Sequence, residues 1–271
     1  MKKILGIYSG TRQHRIGDGL PARTLFSQRT LGRHVSPFLS LDHVAPTTVS
    51  SQECSITARP YVHGNCKMLT MVSQGQVEYT DAAGKSEIIG AGDVQWITVS
   101  DTTTPGKFVP VGTRRGDVVE LLQLWIDLPT PSLSDPSLSD PSCPHQTSVE
   151  KIISSDAIPT LTLPDDGGFI RVIAGNCASR RGAMPTTSSF DVWELQLKSR
   201  CASELKTVEG RTLLLAILNG AVTINGDQVA RAGEVVMLDQ PGEAIFLEAH
   251  ANTTALLLSG EPINIPVVPG Q

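Results

Sequence analysis

Apolar residues along this chain fall into short runs rich in β-branched side chains, bounded by Gly, Asp, Asn or Pro, and helical spacing is not sustained anywhere. The first half carries runs near Met68 to Val72, Gln76 to Thr80, Glu87 to Ile89, Val94 to Val99 and Val118 to Leu128. The second half carries Gly168 to Ala174, Val192 to Leu197, Thr212 to Asn219 and Ala221 to Ile224, then Glu234 to Leu238, Ala244 to Glu248 and Thr254 to Leu258. Runs of this length, separated by turn residues, predict an all-β chain in two units.

The two sets of runs repeat one another. Val72-Ser73-Gln74-Gly75-Gln76-Val77 matches Ile217-Leu218-Asn219-Gly220-Ala221-Val222 at an offset of 145 residues. Ala91-Gly92-Asp93-Val94-Gln95-Trp96-Ile97 matches Ala232-Gly233-Glu234-Val235-Val236-Met237-Leu238 at an offset of 141. A strand, a Gly turn, a strand, a Gly-acid turn and a strand recur in order, the trace a duplicated barrel leaves. Between the halves, Ser-Leu-Ser-Asp-Pro occurs twice in tandem, at Ser132 to Pro136 and Ser137 to Pro141. So polar and Pro-rich a stretch is expected to remain a flexible linker. Residues 1–129 are therefore read as an N-terminal barrel domain, 130–158 as a Ser/Pro-rich linker and 159–271 as a C-terminal barrel domain.

Composition narrows the function classes. With 271 residues, 40% of them hydrophobic, the chain can build a real core, and 24 Gly and 18 Pro against few aromatics fit a turn-rich fold. The net charge is −5 and no basic run is present, which disfavours direct nucleic-acid binding. The longest strictly apolar run, Leu213 to Leu218, is far too short for a membrane-spanning helix. The N-terminus lacks the apolar stretch of a secretory signal, so an intracellular, cytoplasmic monomer is expected. Five irregularly spaced cysteines (Cys54, Cys66, Cys143, Cys177 and Cys201) suit reduced thiols. No Gly-x-Ser-x-Gly elbow, phosphate loop, dinucleotide fingerprint or Cys-x-x-Cys is found, and no catalytic residue is assigned.

Four blocks carry a family resemblance: Ser36-Pro37-Phe38-Leu39-Ser40-Leu41-Asp42-His43, Gly90 to Thr98, Leu122 to Pro129, and Leu256-Leu257-Leu258-Ser259-Gly260-Glu261-Pro262. In this order they resemble the pirin family, whose members are bicupins, two tandem jelly-roll β-barrels. The resemblance implies iron or another divalent metal held in the N-terminal barrel by three His and one Glu, and a metal-free C-terminal barrel. Some members cleave flavonols such as quercetin with dioxygen, and others act as nuclear co-regulators of transcription. A nuclear location and a protein partner rest on this resemblance alone.

The family pattern His-Pro-His-Arg-Gly-Phe-Glu-Thr-Val-Thr-Tyr, counted back from Gly75, falls on Tyr61 to Met71 and keeps only its second His, as His63. Its His-Ser-Glu segment falls on Pro105 to Lys107, with Pro105 in the His place and Lys107 in the Glu place. Three of four ligands are thereby replaced, and a lone imidazole is not a chelate for iron, copper, nickel or zinc. An ammonium about 4 Å from a dication would repel it by roughly 8 kcal/mol at an effective dielectric of about 20. No cofactor is therefore expected, and Tyr61, His63, Gln95 and Lys107 become candidates for a pocket that takes a small phenolic or anionic ligand.

Two functions follow from these residues. The first is a non-catalytic binding or regulatory module, and the alternative is a quercetinase-type dioxygenase with an altered ligand set. A cluster of Tyr61, His63, Cys66 and Glu78 is the other conceivable donor set, against which a hydrogen-bonded His63 is preferred. His43 is expected to serve a structural hydrogen bond, His14 and His34 to lie in N-terminal loops, and Arg171, Arg180 and Arg181 to form a solvated face.

Overall fold

Alternation sends every second side chain of a strand to the same face, and the computed structural model shows which faces are covered. It describes residues 1–10, 12–16, 20–48, 56–57, 66–99, 106–111, 117–127, 150–184 and 190–263. In chain order the strands are β1 (Ile4–Ser9), β2 (Arg12–Ile16), β3 (Leu20–Ser27), β4 (Phe38–Thr48), β5 (Ile56–Thr57) and β6 (Cys66–Gln74). There follow β7 (Val77–Thr80), β8 (Ser86–Ile89), β9 (Val94–Val99), β10 (Lys107–Pro110), β11 (Val118–Asp127) and β12 (Glu150–Ile153). The second half holds β13 (Thr160–Thr162), β14 (Gly168–Ala174), β15 (Asn176–Cys177), β16 (Arg180–Arg181), β17 (Phe190–Leu197) and β18 (Ala202–Lys206). It ends with β19 (Thr212–Asn219), β20 (Ala221–Ile224), β21 (Gln228–Arg231), β22 (Glu234–Leu238), β23 (Ala244–Ala249) and β24 (Thr253–Gly260).

These strands form two equivalent jelly-roll barrels. One seven-stranded sheet runs β12, β9, β6, β11, β4, β3, β2, and the other runs β1, β22, β19, β24, β17, β14, β13. Each barrel is closed by a four-stranded sheet, β5, β10, β7, β8 in the first and β18, β23, β20, β21 in the second. The expected duplication holds strand for strand. At the turn glycines the backbone is left-handed, with φ of 76° at Gly75 and 83° at Gly220. A methyl on Gly75 would lie 2.3 Å from the Val118 carbonyl oxygen, which explains why no other residue serves there.

The Gly-acid turns also match atom for atom. Asp93 Oδ2 accepts the Gly90 N–H at 2.9 Å, and Glu234 Oε2 accepts the Arg231 N–H at 2.7 Å. Gly92 N–H donates to the Val72 carbonyl at 2.7 Å, and Gly233 N–H to the Ile217 carbonyl at 2.8 Å. The recurring acid is thus a turn-closing acceptor.

Sequence patterning missed the leading strands. β1 pairs antiparallel with β22 of the second sheet, while β12 pairs with β9 of the first, so the leading strand of each half crosses to the other half's sheet. The mixed Gly-containing run Ile4–Ser9 shows no alternation because both of its faces are partly covered: Ile4 and Ile7 pack on the second barrel's core, and Tyr8 packs between the barrels. Lys2 straps the strand down, its Nζ donating to the Asp239 and Gln240 carbonyls at 3.1 and 2.5 Å. Burial pushes the Lys2 ammonium below its ordinary pKa, opposed by the charges of Asp239 and Glu209. His14, expected in a loop, lies on β2, because the edge strand continues the sheet through Ala22.

Three apolar clusters fill the molecule. Met68, Val72, Tyr79, Ile97, Phe108 and Trp125 fill the first barrel, and Val172, Trp193, Leu215, Val236 and Leu257 the second. Between the sheets Leu69, Met71, Trp96, Leu122 and Leu124 meet Ile173, Phe190, Leu214, Ala216 and Leu256. No helix among the described residues is long and apolar enough to cross a membrane.

Deleting residues 1–9 uncovers the hydrogen-bonding edge of β22 and is expected to cause aggregation. The milder substitution Ile7→Ala is expected to cost about 2 kcal/mol, read as a lowered urea midpoint with an unchanged slope. An unchanged midpoint would show that β1 is not part of the cooperative fold.

Candidate functional site

The interior of the first barrel contains a layer that is polar from one side of the sheet to the other. Register places Gln95 beside Thr70, Thr70 beside Gln123, Gln123 beside Asp42 and Asp42 beside Thr24. All share the face that carries Met68, Val72, Ile97 and Trp125 into the barrel core. Gln95 and Thr70 are 1% and 0% exposed. Among the described residues Gln95 Nε2 and Oε1, Thr70 Oγ1, Gln123 Nε2 and, one position nearer the strand end, Ser40 Oγ have no hydrogen-bond partner. Each buried polar group left unpaired costs about 1–3 kcal/mol.

The second barrel is an internal control. Its equivalent layer, in the same register, is Val236, Leu215, Leu257, Trp193 and Val172. Apart from Trp193 Nε1, which likewise has no partner among the described residues, this layer is hydrocarbon, so the amides and hydroxyls in the first barrel are not a requirement of the architecture.

At the far end of the polar layer Thr24 Oγ1 donates to Asp42 Oδ1 at 2.6 Å, and His14 Nε2 stands 3.6 Å from the same oxygen. His43 faces the other way, towards the second barrel, and its Nε2 lies 2.9 Å from Glu120 Oε1, a structural hydrogen bond as expected. His250 likewise contacts Thr223 Oγ1 at 2.6 Å.

Of the pocket residues drawn from the sequence, Gln95 is in the layer. Tyr61, His63 and Pro105 lie outside the described residues. Lys107 stands apart from Gln95. Its neighbour Phe108 is buried in the barrel core, whereas Lys107 is exposed. Gly106 just before it donates to Tyr79 Oη at 3.3 Å, which fixes the strand's start. Cys66 is buried inside the barrel, but Glu78 alternates with the inward Val77 and Tyr79, so the two are not brought together. Thr70 and Gln123 were missed because a single polar residue in an apolar run reads as noise until register aligns it with its neighbours.

The described lining does not fit a transition metal. It offers neutral amides and hydroxyls with one carboxylate already bonded to Thr24, whereas iron, nickel and copper are held by imidazole, thiolate and carboxylate sets. Among the described residues no group of three His, Cys, Asp or Glu comes together.

The second barrel has its own buried charges. Asp191 Oδ2 accepts from Arg211 Nη1 at 2.9 Å and Oδ1 from the Asn176 N–H at 2.9 Å, yet burial leaves the carboxyl above its ordinary pKa. Burial, with the Asp191 charge, pushes the Cys177 thiol up to about 11. Arg171, expected on a solvated face with Arg180 and Arg181, is instead largely buried and ion-paired to Glu194 at 2.6 Å.

Two jelly-roll barrels packed face to face, with a polar interior in the first, define a two-barrel protein of the cupin class. The family model for pirin matches residues 19–126, and that for the pirin C-terminal cupin domain matches residues 192–269. A curated Pseudomonas aeruginosa protein, named only provisionally as a quercetin 2,3-dioxygenase, is 36% identical over 269 residues, 99% of this chain and 90% of the relative. The chain belongs to the pirin family. A crystal structure titled quercetin 2,3-dioxygenase from Acinetobacter baumannii superposes with a TM-score of 0.86 at 33% identity, over 100% of this chain and 91% of that one. The Escherichia coli pirin YhhW, solved in complex with nickel(II), shares the fold with a TM-score of 0.65 at 17% identity, over 95% of this chain and 100% of that one.

The polar layer and the buried Cys177 thiol each lead to a test. Thr70→Val and Gln95→Leu are each expected to stabilise the protein, by about 1–2 kcal/mol in urea unfolding, because each replaces an unpaired polar group with an apolar one of similar volume. Loss of stability in both would mean that the layer is internally satisfied. Cys177, raised to about 11 from 9.0, lets the folded chain bind more protons than the unfolded one between those values, so stability falls as pH rises through that window. Cys177→Ala should flatten the fall, measured by urea unfolding at about pH 8.5 and about pH 10.5.

Proposed function

We propose that this pirin-family protein is a non-catalytic binding or regulatory module whose first barrel takes a small organic ligand without a metal. The observation that carries this reading is the polar layer of Gln95, Thr70 and Gln123, with its unpaired atoms, set against the apolar layer at the same level of the second barrel. Gln95 offers a donor and an acceptor, Gln123 a donor and Thr70 a hydroxyl, which suits a ligand with its own hydroxyl and carbonyl groups. Tyr61, Pro105 and Lys107, as replacements at family ligand positions, belong to the same reading, because they leave His63 a lone imidazole that does not chelate. Lys107 is exposed beside the buried Phe108, and this reading therefore favours a phenolic ligand over an anionic one.

A flavonol-cleaving dioxygenase is the second reading, favoured by the name of the 36% identical relative. Metal analysis of tag-free protein after exposure to Fe(II), Ni(II) and Cu(II), followed by a quercetin turnover assay on the same sample, separates the two. The binding reading expects substoichiometric metal, no turnover and a quercetin-dependent thermal shift that Gln95→Leu abolishes. Near-stoichiometric metal with turnover would establish the dioxygenase instead.

A further inference from the structure

The equivalence of the barrels pairs two arginines. Arg23 on β3 and Arg171 on β14 occupy the same register position, beside His43 and Glu194 respectively. Each reaches across to the Gly-acid turn of the opposite barrel. A methyl on Gly233 would meet Arg23 Nη1 at 2.7 Å, and one on Gly92 would meet Arg171 Nη2 at 3.6 Å. Sequence repetition alone does not show this reciprocity, because the arginines and the glycines belong to different strands.

The two arms are unequal. Arg171 Nη2 donates to the Gly92 carbonyl at 2.5 Å and lies 3.4 Å from Ser155 Oγ, while Nη1 donates to Glu194 Oε2 at 2.6 Å. Gln196 Nε2 donates to Glu194 Oε1 at 2.8 Å, and Thr254 Oγ1 donates to Gln196 Oε1 at 3.1 Å, so the arginine is held from behind by a chain of three side chains. Arg23 has no such support. The position of Glu194 is taken by His43, which is engaged with Glu120, and Arg23 makes no ion pair among the described residues. The Gly233 carbonyl is bonded instead to the Gly10 N–H at 3.1 Å.

The turn that Arg171 grips leads straight into β9 and its polar layer. Ser155, just past β12, adds a second grip, its N–H donating to Asp93 Oδ1 at 2.8 Å. Gln95 follows two residues after Asp93, and its amide has no hydrogen-bond partner among the described residues. The turn that Arg23 overlies leads into Val235 and Val236, which need no orientation. The braced arm is the one above the polar layer, and the unbraced arm is the one above Val236 and Leu215.

We propose that Arg171 is a positioning residue through which the second barrel sets the strand that carries Gln95, so that the chemically silent barrel controls the pocket of the first. This rests on the reading of that pocket as a ligand site, and it assigns the second barrel a role that fold symmetry does not. Charge-assisted bonds of this kind hold both distance and angle, which suits alignment of a β-strand better than apolar contact does.

Hydrogen exchange of the full chain without ligand tests the positioning step by itself. Arg171→Met should speed exchange in the peptide spanning residues 92–98 by at least about tenfold while leaving β19 and β24 unchanged, as expected for local opening. Arg171→Lys, which keeps one donor, should recover part of the protection. Arg23→Met should leave residues 92–98 unaffected. If Arg171→Met leaves Glu194 too poorly satisfied for the protein to fold, the double variant Arg171→Met with Glu194→Gln serves in its place. Unchanged exchange in residues 92–98, or an equal rise from Arg171→Met and Arg23→Met, would overturn the proposal. Quercetin titration followed by tryptophan fluorescence forms the second arm, with affinity expected to fall about fivefold or more in Arg171→Met, the order of a typical coupling between sites. Failure of the unmodified protein to bind quercetin would count against the pocket reading, and exchange would still decide the role of Arg171.

Discussion

The apolar layer between the two seven-stranded sheets places everything else in the molecule. Leu69, Met71, Trp96, Leu122 and Leu124 on one side and Ile173, Leu214, Ala216 and Leu256 on the other are buried only because the sheets face each other. Trp96 stacks on Phe190 across the seam, with ring centroids 6.1 Å apart, and Lys67 Nζ lies over the Trp96 ring, 4.4 Å from its centroid. Non-directional burial of this kind holds the sheets together without fixing their alignment. Alignment comes from directional groups: the exchanged strands β1 and β12, and Arg171 between Glu194 and Gly92.

With one face of each large sheet committed to the seam, the opposite face is free to line a barrel. The second barrel uses that freedom for stability and fills its middle layer with Val236, Leu215, Leu257 and Trp193. The first barrel places Gln95, Thr70 and Gln123 there and bears the cost of unpaired atoms. Duplication thus gives two copies of one scaffold whose middle layers differ in polarity. The support of the two arginines is asymmetric in the same sense: Arg171 is braced above the strand that enters the polar layer, and Arg23 is not.

Much of the fold was legible because the code for strands and turns is local. The turns at Gly75, Gly92, Gly220 and Gly233 announced themselves through residues able to adopt positive φ, and all four do. The acids at Asp93 and Glu234 recur because each closes its own turn. Less was legible of the site. Gln95 stood out within a family-like block, but Thr70 and Gln123 sit singly in apolar runs and become a layer only when three strands distant in sequence are laid side by side. Lys107 shows the reverse: its position in the chain matches a ligand place, yet alternation with the buried Phe108 puts it on the outside.

The sequence by itself determined the strand-and-turn alphabet, the duplication and the kinship with pirins, because side-chain alternation, glycine backbone freedom and short motifs are properties of contiguous residues. Tertiary structure alone decided that β1 and β12 trade sheets, that Arg171 is a brace rather than part of a solvated face, and that the two barrels differ in one buried layer. Each of these depends on which strands become neighbours, a long-range choice made by burial of the common seam and invisible in any single stretch of the chain.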